Sequence, residues 1–213
     1  MVPWGKHNPV SLRTQHLAVL GGPGVKQTHV LPVVMIKDPY HWMGSMCRHQ
    51  YAAKWYHNKY LCPNLFMNKR PNSVVIKYTP QTTVEYESLV GLWNDWYNNY
   101  LAIGHDNNND PINSDFPRLM IRFEDILFHT EEVITQVCKC GGGTLINNKN
   151  GIVLDGGNAK AAHHNGSNGL LGAMLRYGKH EKRIENFTKG DVSYAKDTLD
   201  KGLMDLFGYS NPV

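Results

Sequence analysis

Lys37 and Ser45, eight residues apart around an Asp38-Pro39 corner, are a pair whose types and spacing suit chemistry. The run "LPVVMIK" (31–37) is short, continuous and apolar, the pattern of a strand buried on both faces of a parallel sheet. Lys37 then stands at the strand's carboxyl end, where open parallel sheets bind their ligands. After Pro39, "HWMGSMCRHQYAAKW" (41–55) reads as a helix with Trp42, Met46 and Ala53 near one side, which puts Ser45 about two turns beyond the lysine. An ammonium and a hydroxyl so placed can share one phosphate, the lysine supplying charge and the serine a directed hydrogen bond. The plainer alternative is a solvated lysine and a helix serine bonded to its own backbone.

The elements that position this pair must come from a chain of 213 residues, the length of one ordinary domain, and a single domain over 1–213 is expected. Apolar residues make up 41% and charged residues 19%, which excludes a disordered chain. The net charge of +4 suits an anionic ligand but is too small to argue for nucleic acid. Four cysteines (47, 62, 138 and 140) in a chain of this size do not make a disulfide scaffold. The Cys138-Lys139-Cys140 triplet lacks a second Cys/His pair at metal spacing, so no metal is expected. Two sequons, Asn165-Gly166-Ser167 and Asn186-Phe187-Thr188, are compatible with a secretory route. No stretch approaches the roughly 18 apolar residues of a membrane helix.

Around the pair, residues 1–30 are irregular and 141–169 are rich in Gly and Asn, with Asn150-Gly151 as a hairpin turn. Strands are expected at 73–78 and 118–123. Helices are expected at 84–102, at 124–140 with Thr130 as a cap, and at 189–206. Leu89, Leu92, Trp93, Trp96 and Tyr100 recur at helical spacing, and Thr188-x-x-Asp191 reads as a capping box. Alternating strands and helices predict an α/β layered domain with a parallel sheet. The aromatic side chains Trp42, Trp55, Trp93, Trp96 and Tyr97 are expected mainly in the core. Glu124 and Asp125 are expected to cap the helix that follows them.

Lys37-Asp38-Pro39 followed by Ser45 resembles the Arg-(Asp/Asn)-Pro…Ser element of sulfotransferases that use PAPS (3′-phosphoadenosine 5′-phosphosulfate). Lysine stands where arginine is usual, keeping the charge but losing the bidentate fork. "RLMIRFEDILFHTEEVI" (118–134) resembles the family's strand and Tyr-Glu-Asp segment, with Phe123 in the place of the aromatic near adenine. "RYGKHEKRIENFT" (176–188) is similar to the Arg-Lys-Gly…Phe-Thr loop, and "DVSYAKDTLDKGLMDLFGYS" (191–210) resembles the terminal helix and Phe-Gly-Tyr ending of the eukaryotic branch. The resemblance covers most of residues 31–209. It implies a P-loop-NTPase-like three-layer fold with a parallel central sheet, and Lys37, Ser45, Phe123, Arg176, Tyr177 and Gly178 as cofactor-binding residues. Lys37 and Arg176 would clamp the 3′-phosphate.

The family's Lys-x-Gly-Thr-Thr loop for the 5′-phosphosulfate has no counterpart here. "AVLGGPGVKQTH" (18–29) lacks Gly-Lys-Ser/Thr, and the next strand follows too soon for a helix. The resemblance thus implies a domain lacking its first strand–loop–helix unit. A P-loop kinase relative is the weaker reading, since the magnesium-holding aspartate after a strand is also not visible. "WGKHNP" (4–9) resembles the element carrying the catalytic base, giving His7, with His16 in "RTQHLA" as the alternative. The implied activity is sulfuryl transfer from PAPS, without a metal, to a hydroxyl or amine acceptor, a small molecule or more specifically a carbohydrate. The alternative is an inactive domain that binds adenosine 3′,5′-bisphosphate or a sulfated ligand. The Golgi lumen is favoured over the cytoplasm, with membrane contact only through an N-terminal anchor outside the chain.

Overall fold

Val33–Ile36 form β1, and Leu119–Arg122 form β7, its parallel partner, in the register Val33↔Leu119 to Ile36↔Arg122. The computed structural model describes residues 9–10, 31–58, 60–101, 117–144 and 169–212. The expected base His7, its alternative His16, the Asn150-Gly151 turn and the Asn165 sequon lie outside the described residues. Within them the chain is mixed α/β, with this small parallel sheet flanked by helices. β1 is not buried on both faces as its apolar run predicts. Val34 and Ile36 enter the core, whereas Val33 and Met35 are about half exposed, so β1 follows the two-residue alternation of a sheet covered on one side.

Asp38 ends the strand and starts helix α1 (Pro39–Met46), where its Oδ1 accepts the His41 N–H at 3.0 Å and Pro39 occupies the first turn. The helix stops well short of the expected 55. Cys47 is disulfide-bonded to Cys62, Tyr51 adopts φ 52°, and Ala53–Lys54 leave as strand β2. β2 pairs antiparallel with β5 (Val74–Lys77), and β5 with β6 (Thr83–Tyr86), making a three-stranded sheet. Between them lies a short hairpin, β3 (Phe66–Met67) and β4 (Arg70–Pro71). Asn68 and Lys69 at its tip both have positive φ, the backbone a two-residue hairpin requires.

The helix expected over 84–102 is therefore a strand followed by α2 (Leu89–Leu101). Thr-Val-Glu-Tyr alternates in burial, and Ser88, whose Oγ accepts the Gly91 N–H, marks the change of period. α2 presents Leu89, Leu92, Trp93, Tyr97 and Tyr100 to the core, so the aromatic residues there pack rather than line a pocket. Trp93 Nε1 and Tyr97 Oη also donate to the carbonyls of Lys37 and Met35, pinning the outgoing end of β1.

The helix expected over 124–140 breaks at His129 into α3 (Phe123–Phe128) and α4 (Thr130–Cys140). Thr130 does not cap: its Oγ1 donates back to the Ile126 carbonyl. α5 (Gly169–Tyr177) and a 3₁₀ turn (His180–Ile184) follow. The capping box at Thr188 and Asp191 forms with both of its halves, opening α6 (Lys189–Thr198). The expected 189–206 helix then breaks, because Asp200 caps a second helix, α7 (Lys201–Leu206), through the Leu203 N–H.

One buried pair ties these segments together. Arg183 Nη2 of the 3₁₀ turn meets Asp38 Oδ2 at 2.6 Å and donates to the Ser210 carbonyl at 2.6 Å, with both side chains under one-tenth exposed. Its guanidinium also lies over the Tyr40 ring. The Asp38 N–H donates to Glu124 Oε1, whose other oxygen accepts the Tyr209 hydroxyl. Glu124 and Asp125 both stand in the first turn of α3 without a side-chain cap bond: Glu124 braces Asp38 and Tyr209, and Asp125 forks locally with Arg122. Removing one partner of a buried pair strands the other charge. Arg183→Leu should lower unfolding free energy in urea by roughly 3–5 kcal/mol. Adding Asp38→Asn, which keeps the cap and removes the stranded charge, should restore part of that loss.

Candidate functional site

Lys37 leaves β1 at its carboxyl end, and Phe123 opens α3 at the carboxyl end of β7, so both parallel strands deliver a side chain to the same edge. The Lys37 ammonium donates to Ser45 Oγ and to Tyr177 Oη, each at 2.7 Å. It lies 4.3 Å from the Tyr177 ring centre and 4.9 Å from that of Phe123. The Tyr177 ring is held edge-on by both Phe123 and His41, at 4.9 Å in each case. Residues from the first, middle and last thirds of the chain thus meet on one lysine.

Helix geometry explains why α1 contributes as it does. His41 and Ser45, four apart, share one face of α1, and Arg48 follows three residues later in the turn after the helix, its N–H bonded to the Ser45 carbonyl. Ser45 donates to the His41 carbonyl at 2.8 Å and accepts from Lys37 and, at 3.3 Å, from Arg48 Nη2. Arg48 Nη1 donates to the Gly44 carbonyl. The serine therefore orients two cations, and its only hydrogen is committed to its own helix. Just past this face Cys47 is cross-linked to Cys62, with Cα atoms 5.8 Å apart, which fixes the end of α1.

Of the residues expected at the site, Lys37, Ser45, Phe123 and Tyr177 come together. Arg176 is exposed in the last turn of α5, and no contact joins it to Lys37 among the described residues. Its charge is felt nearby, since Lys182 first, then Arg176 and Arg48, hold Glu185 below the usual carboxylate range. Gly178 serves packing: a Cβ there would lie 2.8 Å from the Met174 carbonyl and 3.4 Å from Phe128. His41, Arg48 and Arg183 were given no role by motif reading, and Asp38 was read as part of the motif without its pairing to Arg183. The helical spacing around Ser45 would have revealed the first two.

The electrostatics favour an incoming anion. Burial drives the Lys37 ammonium below its ordinary pKa, partly opposed by Tyr177 and Glu124. No carboxylate pairs with this ammonium among the described residues. Burial pushes the Tyr177 phenol up, but the charge and hydrogen bond of Lys37, helped by Ser45 and Arg48, leave it below its ordinary value. His41 is buried, its Nε2 has no hydrogen-bond partner, and its pKa falls to about 4. Burial is the main cause; Lys37 and Arg183 reinforce it, and Asp38 opposes it. At neutral pH the imidazole beside Lys37 is therefore uncharged.

A separate cleft of about 520 Å³ opens between β7, α4 and α7, lined by Leu119, Ile121, Asp125, Val133 and Phe207 among others, and none of the site residues lines it. Among the described residues no group of three or more His, Cys, Asp or Glu side chains is placed to hold a metal, and no helix is long and apolar enough to cross a membrane. In comparisons with known proteins, no family model, no curated protein and no solved structure matches the chain.

A histidine whose folded pKa lies below its unfolded value of about 6.5 contributes stability above that pH and loses it as pH falls toward about 4. The difference in stability between wild type and His41→Phe should therefore shift by about 3 kcal/mol in favour of the variant between pH 7 and pH 4. Urea unfolding of both proteins at several pH values measures it, and parallel pH profiles would contradict the assignment.

Proposed function

We propose that this chain is a PAPS-dependent sulfotransferase domain of the eukaryotic, carbohydrate-directed branch, with a P-loop-NTPase-like three-layer fold. The observation that carries the reading is the 2.7 Å contact between Lys37 and Ser45 at the carboxyl end of a parallel strand. The eight-residue element that resembles the family's 3′-phosphate grip closes on itself in space, around an ammonium with no carboxylate partner among the described residues. Phe123 within 5 Å of that ammonium supports its role as a flat apolar wall for adenine. Arg176, exposed one residue before Tyr177 in the last turn of α5, would have to turn its side chain toward Lys37 to bring a second cation to the same phosphate.

In the reaction, an acceptor hydroxyl of a carbohydrate attacks sulfur. A new S–O bond forms as the bond from sulfur to the bridging oxygen of the 5′-phosphate breaks, and adenosine 3′,5′-bisphosphate leaves. The acceptor's proton passes to His7, with His16 as the alternative base, since an imidazole of near-neutral pKa suits that transfer. The protein's part is mainly to position the donor and neutralise its phosphates. The Cys47–Cys62 disulfide and the exposed Asn186 sequon support an oxidising secretory compartment such as the Golgi lumen.

Adenosine 3′,5′-bisphosphate should raise the melting temperature of the wild type, and Lys37→Ala and Arg176→Ala should each weaken binding by roughly 1.5–3 kcal/mol, the value of a hydrogen bond to a charged group. Equal thermal shifts in all three proteins would remove the assignment. With sulfur-radiolabelled PAPS, the wild type should label carbohydrate acceptors and His7→Ala should lose turnover while keeping donor affinity. Donor binding without any transfer by the wild type would mark a domain that only binds the bisphosphate.

A further inference from the structure

The hydrogens around Lys37 can be counted. An ammonium has three N–H donors; one is spent on Ser45 and one on Tyr177. The Ser45 hydroxyl is saturated, because its hydrogen goes to the His41 carbonyl and its two lone pairs take Lys37 and Arg48. Ser45 therefore has nothing left to offer a phosphate. The Tyr177 oxygen accepts from Lys37 and also feels the neighbouring Ser45 hydroxyl, but with the Ser45 lone pairs taken by Lys37 and Arg48 the phenol hydrogen can turn to an incoming anion. Two hydrogens thus remain, one on Nζ and one on Oη, carried by atoms 2.7 Å apart.

We propose that Lys37 and Tyr177 act as a single two-donor fork on the phosphate, with the tyrosine hydroxyl supplying the hydrogen bond that an arginine at position 37 would have supplied itself. The proposal rests on the reading of this site as the 3′-phosphate grip and assigns the residue that restores its geometry. A lone lysine is a point charge; a guanidinium is a planar fork matched to two phosphate oxygens. Nζ and Oη together reproduce such a fork, with a spacing comparable to that of two guanidinium nitrogens. The Tyr177 ring is fixed by its edge contacts with Phe123 and His41, and the Gly178 N–H bonds back to Met174, so the hydroxyl is held in place before a ligand arrives. A phenol depressed below its ordinary pKa is also a stronger donor than an unperturbed one. The His41 imidazole beside it adds no competing charge at neutral pH.

The competing role is a plug, in which the hydroxyl merely fills the anion's place and must be expelled. The two differ in the sign of the effect of Tyr177→Phe, which keeps the ring and removes only the oxygen. Calorimetric titration of the wild type, Tyr177→Phe and Lys37→Arg/Tyr177→Phe with adenosine 3′,5′-bisphosphate and with adenosine 5′-monophosphate tests this directly. With a fork, Tyr177→Phe binds the bisphosphate about tenfold or more weaker. Its affinity for the monophosphate, which has no 3′-phosphate, is unchanged, and adding Lys37→Arg recovers most of the loss. Unchanged or tighter bisphosphate binding by Tyr177→Phe, an equal loss on both nucleotides, or no recovery in the double variant each overturns the fork while wild-type binding keeps the parent reading. A wild type that does not prefer the bisphosphate removes both.

Discussion

The buried contact between Asp38 and Arg183 is the constraint on which the site depends. Asp38 does three things at one position: it caps α1, neutralises a guanidinium deep in the protein, and donates its own N–H to Glu124. Each contact fixes a different segment against the end of β1, and Lys37 is the preceding residue. Desolvating two charges usually offsets most of their attraction, so such a pair adds little net stability over an apolar substitute. What it enforces is position. The Ser210 carbonyl and the Tyr40 face supply further partners, which makes the alternative of an unpaired buried ion costly and the observed arrangement hard to leave.

Lys37 is in a different condition. Its ammonium is desolvated, yet its direct partners are two neutral hydroxyls and two aromatic rings rather than a carboxylate. Cation–π contacts supply about 0.5–2 kcal/mol each, which tempers the cost of burying the charge without neutralising it. The nearest acid with a felt effect, Glu124, spends its oxygens on Asp38 and Tyr209. A cation so placed is stabilised most by an anion from outside. The contrast between the two basic residues is the physical case for a site: the Arg183 charge is paired with the Asp38 carboxylate, although its buried Nε has no hydrogen-bond partner, whereas Lys37 meets no carboxylate among the described residues.

How much of this was legible in the sequence follows from the range of each interaction. The Lys37–Ser45 relation was readable because an Asp-Pro corner sets a helix start and eight residues then fix the separation. The Thr188 capping box was readable for the same reason, since both partners lie within one turn. The breaks at His129 and Leu199 were not, because neither carries Pro or Gly at the boundary; Asp200 stops one helix by capping the next. Thr83–Tyr86 has a two-residue alternation, but the strong helical period from Leu89 onward masked it. The Cys47–Cys62 bridge and the Asp38–Arg183 pair join residues 15 and 145 apart, and no local pattern encodes such closures. The parallel pairing of β1 with β7 was readable as a class, but one-sided burial of β1 was not, since an apolar run looks the same whether one face is covered or two.

The last third of the chain grips the strand end twice. Tyr177 takes Lys37 and Arg183 takes Asp38, so two residues six positions apart hold two adjacent ones from opposite sides of the charge scale. The glycine between them matters because Gly178 lets the chain leave α5 against Met174 and Phe128 without a side chain in the way. Docking of this bracket and organisation of the anion site are therefore one event. An anion held jointly by Lys37 and Tyr177 would bind only the docked form, and by mass action would favour it over any state in which residues 177–183 have let go. The same coupling would run in reverse: loosening Arg183 from Asp38 would free the segment that carries Tyr177 to Lys37.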